Sequence, residues 1–201
     1  MATNRLENFS DAVFAIAITL LVLEINVPVS HDLWAPLGDE WPSFAGYAVS
    51  FAVIGIIWIN HHAVLDHLER ADRPVLVLNL VLLLWIGFLP FPTALLAEHL
   101  KSGADEEVAA AVYSGAMAMM GLAFGFLWIY ISRHRHLLGV ELTDDQVRRA
   151  TWRFVAGNPL YALAVGVSFV SPAIVLVVIA LLAIYYALPG AGGAMRSPAE
   201  Q

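Results

Sequence analysis

Long apolar runs, interrupted by short polar links, divide the chain into six segments. The first, about Leu6 to Val27, opens on a polar cluster of Arg5, Glu7, Asn8, Ser10 and Asp11 and then carries no charge until Glu24. From Arg5 to Val27 it holds 23 residues, about 35 Å as an α-helix, enough to cross a hydrocarbon core of roughly 30 Å. Pro28 to Pro42, with Asp32, Asp39 and Glu40, reads as a loop. The second segment is about Ser43 to Val64, followed by the polar link Asp66 to Arg73. Pro74 suits the first turn of a third segment ending near Leu96. The fourth, about Val108 to Ser132, follows the acidic run Asp105-Glu106-Glu107, placed where a helix N-terminus favours anions. The link Arg133 to Asp145 ends on a capping pattern, Thr143 to Gln146. The fifth segment, about Val147 to Val170, is expected to break at Asn158-Pro159, and the sixth runs from about Pro172 to Leu188. Residues 1–189 thus read as one domain. Residues 190–201, with Gly190, Gly192, Gly193 and Pro198, read as a disordered cytoplasmic tail.

Composition places these runs in a bilayer. The 201 residues are 60% hydrophobic and 13% charged, with a mean hydropathy of +0.74. A soluble domain is nearer 25% charged. The expected fold is all-α, a six-transmembrane-helix bundle. There is no cysteine, which removes disulfides and thiol chemistry. No cleavable signal is expected, because Arg5 is the sole early cation and the apolar run is too long. The net charge of −7 does not by itself argue against nucleic acid, but no basic stripe exists, so nucleic acid is not an expected partner. Small residues at close spacing (Gly115, Ala118, Gly121 and Gly125; Ala162 and Gly166) suit close helix packing.

Charge sets the orientation. With six crossings, Arg5, Arg70, Arg73, Arg133, Arg135, Arg148, Arg149, Arg153 and Arg196 share one side, nine of the ten cations, and Lys101 alone lies on the other. The positive-inside rule then puts both termini in the cytoplasm of a multi-pass cell-membrane protein.

At about 100° per residue, Phe9, Ala12, Ile16, Thr19, Leu20, Leu23 and Val27 fall on one stripe of the first helix. The spacing of Ile16, Leu20 and Leu23 suits a helix that meets copies of itself around an axis. Asp11 lies about 140° from Ile16. A carboxylate so placed is either a pore charge or a buried network member bonded to Arg5 or a histidine, and the angle favours the network. His61, His62, Asp66 and His67 match no zinc-helix spacing, and a metal site is not expected. A pH-sensing role for the histidines is a second option. Glu24 is either a charged entrance or a solvated helix end. His134, His136 and the Arg148–Arg153 cluster read as interfacial anchors with anionic membrane lipid as partner. The serines and histidines form no nucleophile–base–orienter set, so no enzyme is expected and no cofactor is implied.

The opening Arg5-x-x-x-Phe9-Ser10-Asp11, followed by Ala12-Val13-Phe14-Ala15-Ile16-Ala17-Ile18-Thr19-Leu20-Leu21, resembles the signature of the transmembrane protein 175 family of potassium channels. The resemblance continues in Trp58-Ile59-Asn60-His61-His62, in Asn79-Leu80 and in Leu89-Pro90-Phe91-Pro92-Thr93. It extends over the whole chain, the last three helices mainly in layout. It implies a cation channel without a Gly-Tyr-Gly filter loop, and the sequence has none. The motif occurs once, so one chain would supply a quarter of a pore and the resemblance implies a homotetramer with first helices lining it. It implies a pore constriction at Ile16, continued by Leu20 and Leu23. Thr19 falls where a hydroxyl layer is linked to potassium preference; the alternative is that it bonds back to the carbonyl of Ala15. Arg5, Phe9, Ser10 and Asp11 would form a structural network with Trp58, His61 or His62, and Asn79. The implied function is a potassium-selective channel with K+ as the permeant ion. A proton-permeable pathway or secondary transporter is the alternative; the lack of Asp, Glu, Lys and Arg in mid-segment argues against coupled transport but not against a proton leak.

Overall fold

The computed structural model describes residues 3–27, 29, 33–139 and 142–187, with backbone alone at 153, 155–158, 173 and 185–187. The expected tail, 190–201, lies outside the described residues. The described chain is helical throughout: α1 (Thr3–Leu20), a 3-10 turn (Leu21–Glu24), α2 (Trp34–Asp39), α3 (Trp41–Asp66), α4 (Arg73–Phe88), α5 (Pro90–Ser102), α6 (Glu106–Arg133), a 3-10 turn (Arg135–Leu137), α7 (Asp144–Ser168) and α8 (Pro172–Ala187). Among the described residues four stretches are long and apolar enough to cross a membrane: Thr3–Glu24, Trp41–Asp66, Arg73–Ser102 and Glu106–Arg133. α8, Pro172–Ala187, is apolar along its whole length but is shorter than these four. The first half of α7 is charged, with Asp144, Asp145, Arg148 and Arg149.

Several boundaries differ from expectation. The first segment does not stay α-helical to Val27: it tightens at Leu21, where Ile25 N–H bonds to Val22 C=O at 3.3 Å. In a 3-10 turn residues three apart eclipse, so Leu23 stacks above Leu20. The expected loop contains α2, with Pro36 in its first turn where proline is tolerated. The third segment is two helices, because Pro90 has no N–H to continue the ladder. Asn158-Pro159 does not break α7, which runs through Pro159; a membrane helix can absorb one missing backbone bond. The capping pattern at Thr143 is a full capping box with Gln146.

α1 packs on α3 and α4 and lies at the edge of the bundle, while α6 sits centrally against α4, α5 and α7. Trp128, Tyr113, Phe14, Leu21 and Ile54 are among the fully buried large side chains. One polar cluster crosses this interior. Thr93 hydroxyl donates to Leu89 C=O at 2.9 Å, so the 2.8 Å contact with Ser50 is a donation from Ser50. Ser50 in turn accepts from Tyr113 OH at 2.9 Å. The chain of hydroxyls ties α3, α5 and α6 together, beside Gly46, where a Cβ would lie 3.2 Å from Thr93 Cγ2.

Each end of the bundle is clamped. Glu40 accepts from Lys101 Nζ and Ser43 Oγ, both at 2.9 Å, and Lys101 also meets Glu98 at 3.3 Å. The lysine bond holds the Glu40 carboxyl below the usual carboxylate range, against its partial burial. At the other end the two polar links join: Leu68 bridges Leu138, and Glu69 N–H bonds to Leu137 C=O at 2.9 Å. Asp72 caps α4 through Val75 N–H at 3.0 Å and accepts from Tyr130 OH at 2.7 Å. Burial raises the Asp72 pKa, but these two bonds and nearby His134 outweigh it and hold the carboxyl low.

Ser50→Ala strands the Tyr113 hydroxyl and leaves Thr93 without a donor. The expected loss is about 1–3 kcal/mol of stability, seen as a lower thermal midpoint of the purified protein in detergent. An unaltered midpoint would show that the cluster does not hold the bundle.

Candidate functional site: the two faces of the first helix

The helix α1 has two faces of opposite character. Leu6, Ser10, Phe14, Ala17 and Leu21 are buried against α3 and α4. Phe9, Ala12, Ile16, Thr19, Leu20, Leu23 and Val27 are exposed. Ile16 is 58%, Leu20 40% and Leu23 74% exposed, large apolar side chains that no helix of the same chain covers. Thr19 is the one polar member of this stripe. Its hydroxyl donates to Ile16 C=O at 2.9 Å, not to the Ala15 carbonyl considered from the sequence.

The buried face is fixed by a directed polar relay. Asn79 Oδ1 accepts from His61 Nε2 at 2.7 Å, which puts a proton on Nε2. Asn79 Nδ2 donates to Ser10 Oγ at 3.0 Å, and Ser10 donates to Leu6 C=O at 2.8 Å. Phe14 covers His61 at a ring distance of 5.3 Å. Ser10, His61 and Asn79 are all buried, so three helices share one chain of satisfied groups.

A second, more exposed contact lies beside it. Trp58 Nε1 donates to Asp11 Oδ1 at 2.8 Å, so the partner of Asp11 is an indole rather than Arg5 or a histidine. His62 stacks on Trp58 and pairs with Glu7 Oε1 at 3.0 Å. The structure therefore brings together Ser10, Asp11, Trp58, His61, His62 and Asn79 from the expected network. Arg5 and Phe9 stand apart, both exposed, and among the described residues Arg5 enters no hydrogen bond or ion pair in the chain. Glu7 was missed, although it precedes Asp11 by one turn and lies about 180° from Ile16.

The remaining candidates separate. His67 Nδ1 bonds to Ala63 C=O at 2.7 Å, while His62 faces Glu7. Among the described residues no group of three or more His, Cys, Asp or Glu is placed to hold a metal. Glu24 is exposed and, with Leu23, Asn26, Ser43, Glu98 and Lys101, lines a polar recess of about 180 Å³ beyond the C-terminal end of α1.

Comparison with known proteins gives this arrangement a family. Residues 5–90 match the model of the endosomal/lysosomal potassium channel TMEM175 family. A potassium channel of Streptomyces collinus is 47% identical over 92% of this chain and 91% of its own. The crystal structure of a lysosomal potassium-selective channel TMEM175 homolog from Chamaesiphon minutus superposes with a TM-score of 0.80 at 40% identity, covering 92% of this chain and 96% of that one. The endosomal/lysosomal proton channel TMEM175 of Bos taurus is 38% identical over 53% of this chain, a match spanning 24% of that protein. The fold and site thus define a multi-pass membrane protein of an ion-channel class, not an enzyme. The chain belongs to the TMEM175 channel family.

Asn79→Leu keeps the branched shape of the relay's central residue, with bulkier methyl groups, and removes both of its polar ends. Ser10 then loses its donor and His61 its acceptor inside the bundle. The expected loss is about 2–5 kcal/mol, read as a lower thermal midpoint with less assembled protein on gel filtration. Wild-type yield and midpoint would show that α1 is held by apolar packing alone.

Proposed function

We propose that this chain is one subunit of a potassium-selective channel in the cell membrane. Four copies assemble as a homotetramer, each crossing the bilayer six times with both termini cytoplasmic. The first helices line the pore, and Ile16, Leu20 and Leu23 form its constriction. The observation that carries this proposal is the two-faced α1. Its inner face is locked by a buried relay, and its outer face presents a continuous stripe that the chain itself leaves uncovered. The relatives from Streptomyces collinus and Chamaesiphon minutus, matched over nearly the whole chain, carry the name potassium channel, which supports the same ion here.

A ring of apolar side chains at a pore axis restrains flow by dewetting and needs no charge. Thr19 is the polar step within that ring. Its proton is engaged by Ile16 C=O, so the lone pairs of Oγ1 are what it turns toward the axis. Such an oxygen replaces part of a cation's hydration shell, and we assign the potassium preference to it. Membrane lipid covers the outer helices, K+ is the permeant ion and no cofactor takes part. The name proton channel given to the Bos taurus relative favours a second reading, in which the same pathway passes protons.

Ile16→Asn should wet the constriction and raise basal current by on the order of tenfold, a barrier change of about 1.4 kcal/mol. Single-channel recording in planar bilayers measures it, and unchanged conductance and selectivity would remove Ile16 from the pore.

Thr19→Ala removes the side-chain oxygen and should lower the potassium-over-sodium permeability ratio by about fivefold, near 1 kcal/mol. Reversal potentials in potassium/sodium gradients measure the ratio. An unaltered ratio would end the role of Thr19, and proton flux with no potassium flux would favour the second reading.

A further inference from the structure

Glu7 and His62 join the same two helices as the buried relay but stand outside it. Glu7 Oε1 lies 3.0 Å from His62 Nδ1, and the side chains are 28% and 50% exposed. The His62 ring stacks on Trp58 with centroids 6.0 Å apart and planes at 22°. The Trp58 indole donates to Asp11 at 2.8 Å. Glu7 and Asp11 are one turn apart on α1, and Trp58 and His62 are one turn apart on α3. The four side chains therefore close a cycle between the helices.

A carboxylate only accepts, so His62 must donate from Nδ1. A neutral ring does this in one of its two tautomers; in the other, two acceptors face each other. The imidazolium always donates, adds a full charge to the pair and rests on the face of an indole, where a cation is attracted. Both contacts strengthen when His62 is charged. The titratable groups around it are Glu7 and Asp11 on α1 and His61 and Asp66 on α3, with Arg5 exposed two residues before Glu7. His61 is already engaged by Asn79.

We propose that Glu7 and His62 form a positioning pair that sets the rotation of α1 on α3, holding it more firmly when His62 carries charge. Its effect on ion flow rests on the pore reading above. Glu7 lies about 180° from Ile16 on the same helix, so a turn that stretches the pair swings the Ile16 stripe through the same angle.

The test compares wild type with Glu7→Gln and His62→Gln in proteoliposomes. Potassium flux is measured with the cytoplasmic face at about pH 5.5 and about pH 8, either side of the histidine range. Only protein eluting as the wild-type oligomer is used. Wild-type flux should differ between the two by roughly 1.5- to 5-fold, the range of a partly exposed ion pair, and each variant should bring that ratio to about one. A variant that keeps the wild-type ratio would overturn the proposal. A second readout needs no conduction: an imidazolium quenches a stacked indole, so acid should dim wild-type tryptophan emission. That pH-dependent part should vanish in both His62→Gln and Trp58→Phe. Equal acid quenching in wild type and His62→Gln would overturn the pair. Normal quenching with no potassium flux in wild type would sink the pore reading and leave the pair on α1 standing.

Discussion

A polar side chain inside a lipid-facing bundle has no water to fall back on, and that constraint sets the position of α1. Ser10, Asn79 and His61 form one directed relay from α3 through α4 to the backbone of α1. Each group in it is satisfied once, and an unpaired buried polar group in such surroundings costs several kcal/mol. Turning α1 by one residue, or sliding it by one turn, would break the Asn79–Ser10 bond and leave the Asn79 amide N–H without its acceptor. Leu6, Phe14, Ala17 and Leu21 fill the space around the relay, but apolar contacts alone tolerate slippage. The Asn79–Ser10 bond selects the observed register among those the apolar contacts allow. The outward direction of Ile16 and Leu20 is then a consequence of what the opposite face must satisfy.

The rest of the bundle serves as a fixed frame for that helix. The hydroxyl cluster of Ser50, Thr93 and Tyr113 ties α3 to α5 and α6, where Gly46 lets α3 approach Thr93. The Glu40–Lys101 pair closes the bundle at one end. At the other, the Asp72 cap receives Tyr130 from α6, and the two polar links pair through Leu68 and Leu138. α1 touches this frame through α3 and α4 alone among the described helices with extended contacts, so its opposite face is left open.

The helix periodicity of the sequence was enough to separate the two faces of α1, because a regular apolar helix obeys one angular rule along its length. Every residue of the expected stripe, from Phe9 to Val27, is exposed. The rule fails where the helix changes pitch: the tightening at Leu21 follows from local backbone bonding that no hydrophobic count records. The split at Pro90 was legible from proline chemistry, yet the apolar run across it masked the break. Asn158-Pro159 misled in the opposite direction, since a membrane helix can carry a proline without ending. Within the site, Ser10, Asn79 and His61 were chosen by motif. Trp58 was chosen the same way, but not as the specific partner of Asp11, because an indole N–H donor leaves no charge signature to set it above Arg5 or a histidine. Glu7 was hidden among surface-like polar residues at the chain's start, and only the position of His62 on α3 gives it a role.

In a pore built from α1, the source of any ion preference is restricted by the helix itself. Its main-chain carbonyls from Thr3 to Ile16 are engaged in the helical ladder, so they cannot act as a ring of ligands as an extended filter loop does. Ligand oxygen must then come from side chains on the exposed stripe. Phe9, Ala12, Ile16, Leu20, Leu23 and Val27 have none, and the carboxylate of Asp11 is bonded to Trp58 on the other side of the helix. Thr19 alone offers an oxygen there, one turn from the apolar side chains of Ile16 and Leu23. An ion entering such a ring loses hydration at the apolar level and regains a ligand at the hydroxyl level. In such a pore the barrier and the preference would sit within one turn of each other, on a helix whose angle is set by its hidden face.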